Sequence, residues 1–374
     1  MKPAAWLSRF GDRSERFSAD LAALVELESP SGDASRISAL AGWVRGRLDA
    51  PGLAVETRAC AGAGDSVVVR LGSGDAEAMV LGHLDTVWPA GTLREIPFRI
   101  DGDRATGPGV FDMKAGVAVA IAAFEALAEE RSGRATLLLV PDEEVGSLDS
   151  RALTLELARR HRRVFVLEPS ADGAAKIARK GTGLFHVRFR GKAAHAGLEP
   201  ERGASALAEL ARAVLYLETL ADPGLGTTAV PTRARSGDRT NVVPDEGEVS
   251  VDVRVWSREE AARVEKGVRG YRAADSRVSI RVEGGFDRPP LEPTPESLAL
   301  FDEARAIASE LGFELGAARV GGASDGNLTA AEGVPTLDGL GPVGGGAHAR
   351  EEFVLMSDLP KRAALLASLL EGIA

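Results

Sequence analysis

The sequence predicts an α/β protein with a mostly parallel sheet, into which a smaller α+β domain is inserted. Over the first 180 of 374 residues, short apolar segments bounded by turn residues alternate with helical patterns. This strand–helix–strand alternation is typical of layered α/β domains. From residue 181 the apolar residues alternate strictly with polar ones, which is typical of strands with one exposed face. Helical patterns return towards the C-terminus, where we expect the first domain to resume.

The elements of the first domain follow from the spacing of its apolar residues. Compact apolar runs predict buried strands, and apolar positions three and four residues apart predict helices. The predicted strands are 78–84, 136–142 and 164–168, and the predicted helices are 14–28, 114–130, 295–311 and 360–373. The first domain therefore comprises residues 1–180 and 289–374, with Pro289 and Pro290 marking the return of the chain.

Residues 181–288 form the predicted inserted domain. In its first strand Phe185, Val187 and Phe189 alternate with polar side chains, so that one face is apolar and the other is exposed. The predicted strands are 183–191, 247–256 and 276–285, and the predicted helices are 205–220 and 258–269. We expect a small α+β domain whose sheet has one open face.

The composition excludes several classes of protein. The net charge is -10 and there is no long Lys/Arg block, which argues against binding to nucleic acid or to an anionic membrane. The N-terminal segment lacks the apolar stretch of a signal peptide, and no run of 18 apolar residues occurs, so we expect a cytoplasmic protein without a membrane span. Cys60 is the single cysteine. Any metal must therefore be held by His, Asp and Glu.

Histidines and carboxylates follow the predicted strands of the first domain. His83 and Asp85 end the first of these strands, residues 142–144 are three consecutive acids after the second, and Glu168 ends the third. Ligand sites in α/β proteins gather at this edge of the sheet, and adjacent carboxylates repel one another unless a cation is present. Each candidate also has an ordinary explanation. For His83 it is a hydrogen bond to Asp85 in a turn, for residues 142–144 a solvated acidic turn, and for Glu168 a surface acid at the end of a strand.

Two further candidates adjoin glycine-rich loops. Asp112 lies where GPGVFDMKAG enters a helix, and His348 follows three glycines that let the backbone approach a ligand. Alone, Asp112 is explained as a helix N-cap and His348 as part of a flexible loop. Together, the candidates offer nitrogen and oxygen ligands without sulfur, which suit zinc, cobalt or manganese. They exceed the needs of one tetrahedral ion but would suit two metals, about 3.5–4 Å apart, that share a carboxylate.

Seven segments occur in the order found in a known family: GHLDTVWPAGTL, GPGVFDMKAG, PDEEVGS, LEPS, GKAAHAG, TNVVPD and VDVRV. From about residue 78 to the C-terminus, the sequence thus resembles the di-zinc carboxypeptidases and deacylases. This family includes glutamate carboxypeptidase, acetylornithine deacetylase and succinyl-diaminopimelate desuccinylase. GHLDTVWPAGTL followed by PFRIDGDRATGPG is most similar to the glutamate carboxypeptidase branch. The resemblance implies a zinc-peptidase-like catalytic domain and an inserted ferredoxin-like domain that serves as lid and dimer interface.

The resemblance also implies two Zn²⁺ ions per subunit, with Co²⁺ or Mn²⁺ as substitutes. The implied ligands are His83 and Glu168 for one ion, Glu144 and His348 for the other, and Asp112 as the bridge. Asp85 matches the residue that orients His83, and Glu143 matches the general base. The peptide bond after Asp112 is cis in the family. Met113 stands where the glutamate carboxypeptidase branch often has a second Asp.

Five further residues match substrate-binding positions of the family. His195 matches a histidine that reaches the partner subunit's active site and stabilises the oxyanion, which implies a homodimer. Asn241 and Arg254 match residues that hold the carboxylate end of the substrate, and Lys176 and Arg288 resemble basic residues that line the glutamate carboxypeptidase pocket. The ordinary alternatives are an exposed strand residue for Arg254 and a loop residue for His195.

We therefore expect a metal-dependent hydrolase that cleaves an amide bond to an amino acid with a free carboxylate, most similar to a glutamate carboxypeptidase. Its substrate would be a small peptide or an N-acyl amino acid. The alternative is an N-acyl-amino-acid deacylase such as acetylornithine deacetylase. A third interpretation is a non-catalytic metal- or peptide-binding protein on a hydrolase fold. Glu143 argues against it, because a binding protein has no need of a general base.

Overall fold

The computed structural model describes residues 1–72 and 77–372, so Ile373 of the predicted last helix lies outside the described residues. The chain divides into two compact units. The first comprises Met1–Ala178, Pro293–Val320 and Ser324–Ala374, and the second comprises Arg179–Glu292 and Gly321–Ala323. The predicted domain boundaries, 180/181 and 288/289, lie two and four residues from the observed boundaries at 178/179 and 292/293. The roles assigned to the two domains stay predictions.

The helices of the described residues include every helix that the sequence predicted, with ends that differ by a few residues. They are α1 Pro3–Gly11, α2 Ser14–Glu26, α3 Ala34–Arg47, α4 Ala115–Glu129, α5 Arg151–Ala158, α6 Ala206–Glu218, α7 Arg258–Gly270, α8 Pro295–Glu310, α9 Asp325–Ala331 and α10 Leu359–Glu371. Within the described ranges, none of these helices combines the length and apolarity needed to cross a bilayer.

The strands likewise include every predicted one. They are β1 Leu53–Cys60, β2 Gly64–Leu71, β3 Ala78–His83, β4 Arg99–Asp101, β5 Arg104–Thr106, β6 Ala135–Val140, β7 Arg163–Val166, β8 Ala175–Arg179, β9 Gly181–Arg190, β10 Ala194–His195, β11 Thr228–Ser236, β12 Val242–Val243, β13 Glu246–Val255, β14 Ser279–Arg288, β15 Ala317–Val320, β16 Thr336–Leu337, β17 Gly344–Gly345 and β18 Phe353–Leu355.

A six-stranded sheet of order β1-β2-β6-β3-β7-β16 organises the first unit. The pairings β6–β3, β3–β7 and β7–β16 are parallel, whereas β1–β2 and β2–β6 are antiparallel. The predicted α/β class with a mostly parallel sheet is confirmed. The antiparallel edge formed by β1 and β2 was not predicted from the sequence.

Both faces of this sheet are apolar and covered by helices. Successive strand residues point to opposite faces, so Val67 and Val69 pack in one core cluster while Val68 packs in another. The larger cluster includes α4, in which every residue from Ala115 to Ile121 is buried. A helix that is apolar all round must lie between other elements, and α4 is accordingly covered by the sheet on one side and by α2 and α10 on the other.

The second unit is built on an antiparallel sheet of order β11-β13-β9-β14. Its buried face carries Phe185, Val187 and Phe189, which pack in one cluster with residues of α6 and α7. Arg188 and Arg190 point to the opposite, exposed face. The alternation in β9 thus produces the open sheet face expected from the sequence. The outer strand β11 was not predicted.

A buried ion-pair network links α2, α3 and α4. Arg47 donates from Nε and Nη2 to the two carboxylate oxygens of Asp20, at 2.8 and 2.7 Å, and also pairs with Glu125. Asp20 and Glu125 are both buried. Burial would lower the pKa of Arg47, but the two carboxylates raise it above its ordinary value. The guanidinium therefore holds three helices by charge-assisted hydrogen bonds.

Arg47→Met should lower the free energy of unfolding by about 2–3 kcal/mol, because it leaves a buried carboxylate without its partner. The loss should be smaller than for a fully broken network, since Arg16 Nη2 still donates to Glu125 at 2.8 Å. Urea unfolding followed by circular dichroism measures the change. The control Arg305→Met removes an exposed pair with Asp302 and should leave the urea midpoint nearly unchanged. Equal losses in both variants would contradict the prediction.

Candidate metal centre

Three neighbouring strands end at the site. β6, β3 and β7 are adjacent and parallel, so their carboxyl ends meet at one edge of the sheet. His83 is the last residue of β3, Glu143 and Glu144 follow β6, and Glu168 follows β7. His83, Glu143 and Glu168 are buried. The sheet topology therefore brings together side chains that are far apart in the sequence.

Asp112 enters from the irregular segment Val110–Lys114 that precedes α4. The peptide bond between Asp112 and Met113 is cis, as predicted. Gly109 has a φ of +71°, and a Cβ at this position would lie 2.5 Å from Thr86 Cγ2. Only glycine fits there, because a side chain would be both strained and in collision. The segment thereby passes close to the loop that follows His83.

The site has two halves that meet at Asp112. Asp112 Oδ1 lies 3.2 Å from His83 Nε2, which also lies 3.5 Å from Glu168 Oε1. Asp112 Oδ2 lies 3.4 Å from His348 Nε2, which lies 3.2 Å from Glu144 Oε2. The structure thus groups the five residues into the two sets that the resemblance implied, with one oxygen of Asp112 in each.

The titration of these groups reflects their mutual contacts. Burial alone would lower the pKa of His83, but contacts with three carboxylates, Asp112 foremost, raise it well above its usual range. Contacts with Asp112 and Glu144 raise the pKa of His348 to about 10. Burial would raise the pKa of Asp112, but the two imidazoles hold it well below its usual range. A metal ion bound here would compete with protons for both imidazoles.

The residues present fit divalent metal ions. Ligand atoms of His83, Asp112 and Glu144 all lie within 4.8 Å of one another, as do those of His83, Glu143 and Glu168. Glu144 Oε1 is buried and has no hydrogen-bond partner among residues 1–72 and 77–372. A buried carboxylate oxygen without a donor is costly unless a cation neutralises it. Imidazole and carboxylate ligands suit zinc, cobalt or manganese.

Asp85 contacts both His83 and the loop that carries the two consecutive glutamates. His83 Nδ1 lies 2.9 Å from the main-chain oxygen of Asp85 and 3.4 Å from Asp85 Oδ1, so the main chain provides the closer contact to the ring. The carboxylate accepts hydrogen bonds from the main-chain amides of Glu143 and Glu144, at 3.0 and 3.2 Å, and from Ser31 Oγ at 2.7 Å. Asp85 therefore positions both consecutive acids as well as His83.

Glu352, which the sequence did not single out, is buried beside the site and accepts hydrogen bonds from the main chain of the Asp112 segment. The glycines before His348 have close packing partners within the chain. A Cβ on Gly344 would lie 2.1 Å from the main-chain oxygen of Phe353 and 2.6 Å from the ring of Phe111. Gly346 has a φ of +72° and abuts the main chain of Glu352. These glycines allow the chain to pack tightly on itself.

The predicted substrate-binding residues of the second unit lie in two places. His195 pairs with Val242 between β10 and β12, and the Asn241 main-chain oxygen accepts from the Ala196 amide at 2.9 Å, so His195 and Asn241 are neighbours. Arg254, in β13, donates to both oxygens of Asp252 at 2.8 and 3.0 Å. A substrate carboxylate would compete with Asp252 for this guanidinium.

The other two predicted substrate-binding residues, Lys176 and Arg288, lie in different units. Lys176 lies in β8 of the first unit, half-buried, and its amide donates to the main-chain oxygen of Asp338 at 2.7 Å. Arg288 lies at the end of β14 in the second unit and is 7% exposed. Their predicted role in a substrate pocket stays a prediction.

Gly116→Ala should disturb the ligand edge of the sheet. Its Cβ would lie 2.3 Å from the main-chain oxygen of Leu167, the residue before Glu168. Overpacking of this kind costs about 1–3 kcal/mol, and the collision displaces backbone that holds a predicted ligand. We expect a lower melting temperature and weaker metal binding. The control Gly42→Ala, in α3 with nothing within 4 Å, should stabilise the chain by about 0.5–1 kcal/mol. Similar shifts in both variants would contradict the prediction.

Known proteins are similar to this chain in sequence and in fold. A model described as peptidase family M20/M25/M40 matches residues 79–372. Carboxypeptidase G2 of Pseudomonas sp. (strain RS-16) is 32% identical over 361 residues, which cover 93% of this chain and 86% of that protein. Succinyl-diaminopimelate desuccinylase of Acidiphilium cryptum (strain JF-5) is 28% identical over 353 residues, which cover 87% and 91%. Aminopeptidase PepT from Bacillus cereus ATCC 10987 has the same fold, with a TM-score of 0.81 and 23% identity over 96% of this chain and 98% of that one.

Proposed function

Because the chain belongs to peptidase family M20/M25/M40, we propose that it is a two-zinc hydrolase that cleaves an amide bond to an amino acid with a free carboxylate. Membership confirms the predicted family and the assignment as a hydrolase. Within the family, we propose a carboxypeptidase that acts on small peptides or N-acyl amino acids, with glutamate as the released residue. The resemblance to carboxypeptidase G2 over most of both chains supports this choice.

One observation supports the two-metal site above the others: the two oxygens of Asp112 face different histidines. Oδ1 lies 3.2 Å from His83 Nε2 and Oδ2 lies 3.4 Å from His348 Nε2. Each histidine is accompanied by one further glutamate, so both halves offer one nitrogen and two carboxylate oxygens. A carboxylate that faces two such sets suits a bridge between two ions.

Divalent ions bound there would polarise the scissile carbonyl and lower the pKa of the attacking water towards about 7. Glu143 accepts the proton of that water as it adds to the carbonyl carbon, and then donates this proton to the nitrogen when the C–N bond breaks. The main-chain amide of Glu143 donates to Asp85 Oδ1 at 3.0 Å, which holds the loop that carries the base. The products are a carboxylate and a free amine. In the second unit, we propose that Arg254 and Asn241 bind the substrate's carboxylate.

A substrate panel tests the proposal. With Zn²⁺ or Co²⁺ supplied, we expect the highest kcat/KM for N-acylglutamates or dipeptides with C-terminal glutamate. Amidation of the free α-carboxylate should lower kcat/KM at least about tenfold, since a hydrogen bond to a charged group is worth about 1.5–3 kcal/mol. Equal turnover of the amidated substrate would overturn the carboxylate requirement. Preference for acetylornithine would favour a deacylase, which the likeness to succinyl-diaminopimelate desuccinylase also suggests. Absence of hydrolysis across the panel would favour a binding protein.

We also propose that the chain is a homodimer through its second unit. On α6, Leu207 and Leu215 are 45% and 67% exposed, and the outer strand β11 exposes Val230. Exposed apolar side chains beside an open strand edge are typical of an association surface. A dimer would also allow His195 to reach the active site of a second copy, as in the family that the sequence resembles. Light scattering tests this, and a monomer at assay concentrations would overturn it.

A further inference from the structure

Glu352 is a buried carboxylate that four donors surround. Its Oε1 accepts from the main-chain amides of Phe111 and Asp112, at 2.9 and 3.0 Å. Its Oε2 accepts from the main-chain amide of Gly109 at 3.0 Å and from Trp88 Nε1 at 2.8 Å. The residue is 2% exposed. Because all four contacts are donors, the carboxylate serves only as an acceptor.

The position of Glu352 follows from strand pairing. β18 begins at Phe353, which pairs with Thr106 at the end of β5, so Glu352 lies beside the start of the glycine-rich segment that leads to Asp112. Glu352 also follows His348 by four residues. The intervening chain is compact, since the amide of Ala349 donates to Gly346 and the amide of Glu352 donates to Ala349, at 2.8 and 3.0 Å. One side chain therefore connects the segment that carries His348 to the segment that carries Asp112.

We propose that Glu352 is a positioning residue that holds Asp112 and His348 in register, so that the half of the centre formed by Asp112, His348 and Glu144 is complete. This inference rests on the proposed two-metal function. Asp112 is neither in a regular helix nor in a strand, as its φ of -111° and ψ of 97° show. Its backbone is therefore held in place from outside, and Glu352 supplies hydrogen bonds at the amide of Asp112 itself and at two amides before it.

The Glu352 hydrogen bonds are not the only anchor of this segment. Lys114, at its end, is buried, and its Nζ donates to the main-chain oxygen of Leu27 at 2.9 Å. The ordinary alternative is that Glu352 only stabilises a loop. That role would change the stability of the fold without a specific change at the metal.

Glu352→Gln separates the two roles, because a side-chain NH₂ cannot accept from the donors that surround it. Loss of a residue that orients metal ligands typically lowers metal affinity about 10–100-fold. We expect at least one of the two ions to bind more weakly by that factor. We also expect the visible absorption of the Co²⁺ form to change, because this spectrum depends on ligand geometry. Calorimetric titration with Zn²⁺ and absorption spectroscopy measure the two effects.

Glu209→Gln is the matched control. Glu209 is fully buried in the second unit and accepts from the amides of Ala274 and Asp275 at 2.9 and 3.1 Å. The Glu209→Gln variant should lose stability in a similar way, but its ion affinity and Co²⁺ spectrum should be those of the wild type. If Glu352→Gln does not fold, Glu352→Asp decides on the same readouts, since it keeps the charge but cannot reach all four donors.

The outcomes distinguish this inference from the proposed function. A wild-type chain that binds two ions, together with a Glu352 variant of unchanged ion affinity and spectrum, would overturn the positioning role alone. A wild-type chain that binds no divalent ion would overturn the two-metal function, and the inference with it. Weaker binding and an altered spectrum in the Glu352 variant, but not in Glu209→Gln, would support both.

Discussion

Glu143→Gln is expected to lower kcat by about 10²–10⁴-fold, because the amide cannot take a proton from the attacking water or return it to the leaving nitrogen. The substitution keeps the size of the side chain. It also keeps the main-chain hydrogen bond to Asp85 at 3.0 Å, so the loop should stay in place. Metal content, measured by atomic emission after dialysis, should therefore remain at the wild-type level. Steady-state assays on an N-acylglutamate measure the loss of turnover.

The neighbouring acid provides a matched comparison. Glu144 Oε2 lies 3.2 Å from His348 Nε2, and its Oε1 is buried without a hydrogen-bond partner in the described part of the chain. Glu144→Gln should therefore reduce both metal content and turnover, and added Zn²⁺ should restore part of the activity. Glu143→Gln should lose turnover alone, with no recovery on adding metal. If Glu143→Gln keeps wild-type turnover, the general base is another group.

The ligand edge was predictable because its signals are local. Each of His83, Glu144 and Glu168 follows a short apolar run, and apolar runs of this length predict buried strands. Parallel strands then end at one edge, whatever their exact order in the sheet. The clustering of these residues thus needed only the correct class of fold. The specific roles of Asp112 as the bridge and of His348 as a ligand needed the family resemblance, since both lie in irregular segments.

Non-local pairings explain what the sequence did not reveal. The role of Glu352 depends on the pairing of β18 with β5, whose residues are separated by more than 240 positions. No periodicity marks a partnership of this kind. The only local signal was a second acid, Glu352 after Glu351, immediately before an apolar segment. The tight packing of Gly344 was hidden for the same reason, because the atoms that exclude a side chain there belong to Phe353 and Phe111.

Contacts of Asp85 show a further limit of sequence analysis. The spacing of His83 and Asp85 correctly placed the two residues together, but it could not show which oxygen faces the ring. In the structure the main-chain oxygen is closer, at 2.9 Å, and the carboxylate also accepts from the loop that carries Glu143 and Glu144. A single carboxylate therefore links the first ligand to the proposed base. Such a link arises when two strand ends become neighbours in the folded sheet.

Asp112→Asn is expected to weaken the binding of both ions, because the two carboxylate oxygens of Asp112 face different halves of the centre. Oδ1 lies 3.2 Å from His83 Nε2 and Oδ2 lies 3.4 Å from His348 Nε2. Asparagine has the same size, but it lacks the negative charge and offers one oxygen in place of two. Since loss of an outer residue that only orients ligands already costs about 10–100-fold in metal affinity, loss of the bridge should cost more at each ion. Turnover should fall below detection at Zn²⁺ concentrations that saturate the wild type.

Two single-sided variants show whether Asp112 bridges. Glu168→Gln alters the half that contains His83, and Glu144→Gln alters the half that contains His348. In calorimetric titrations each should weaken one of two binding events, whereas Asp112→Asn should weaken both. If Asp112→Asn removes only one ion and leaves the other at wild-type affinity, Asp112 is a ligand of one metal and the centre is not bridged. The distinction depends on electrostatics, because one carboxylate between two cations reduces their mutual repulsion as well as binding each of them.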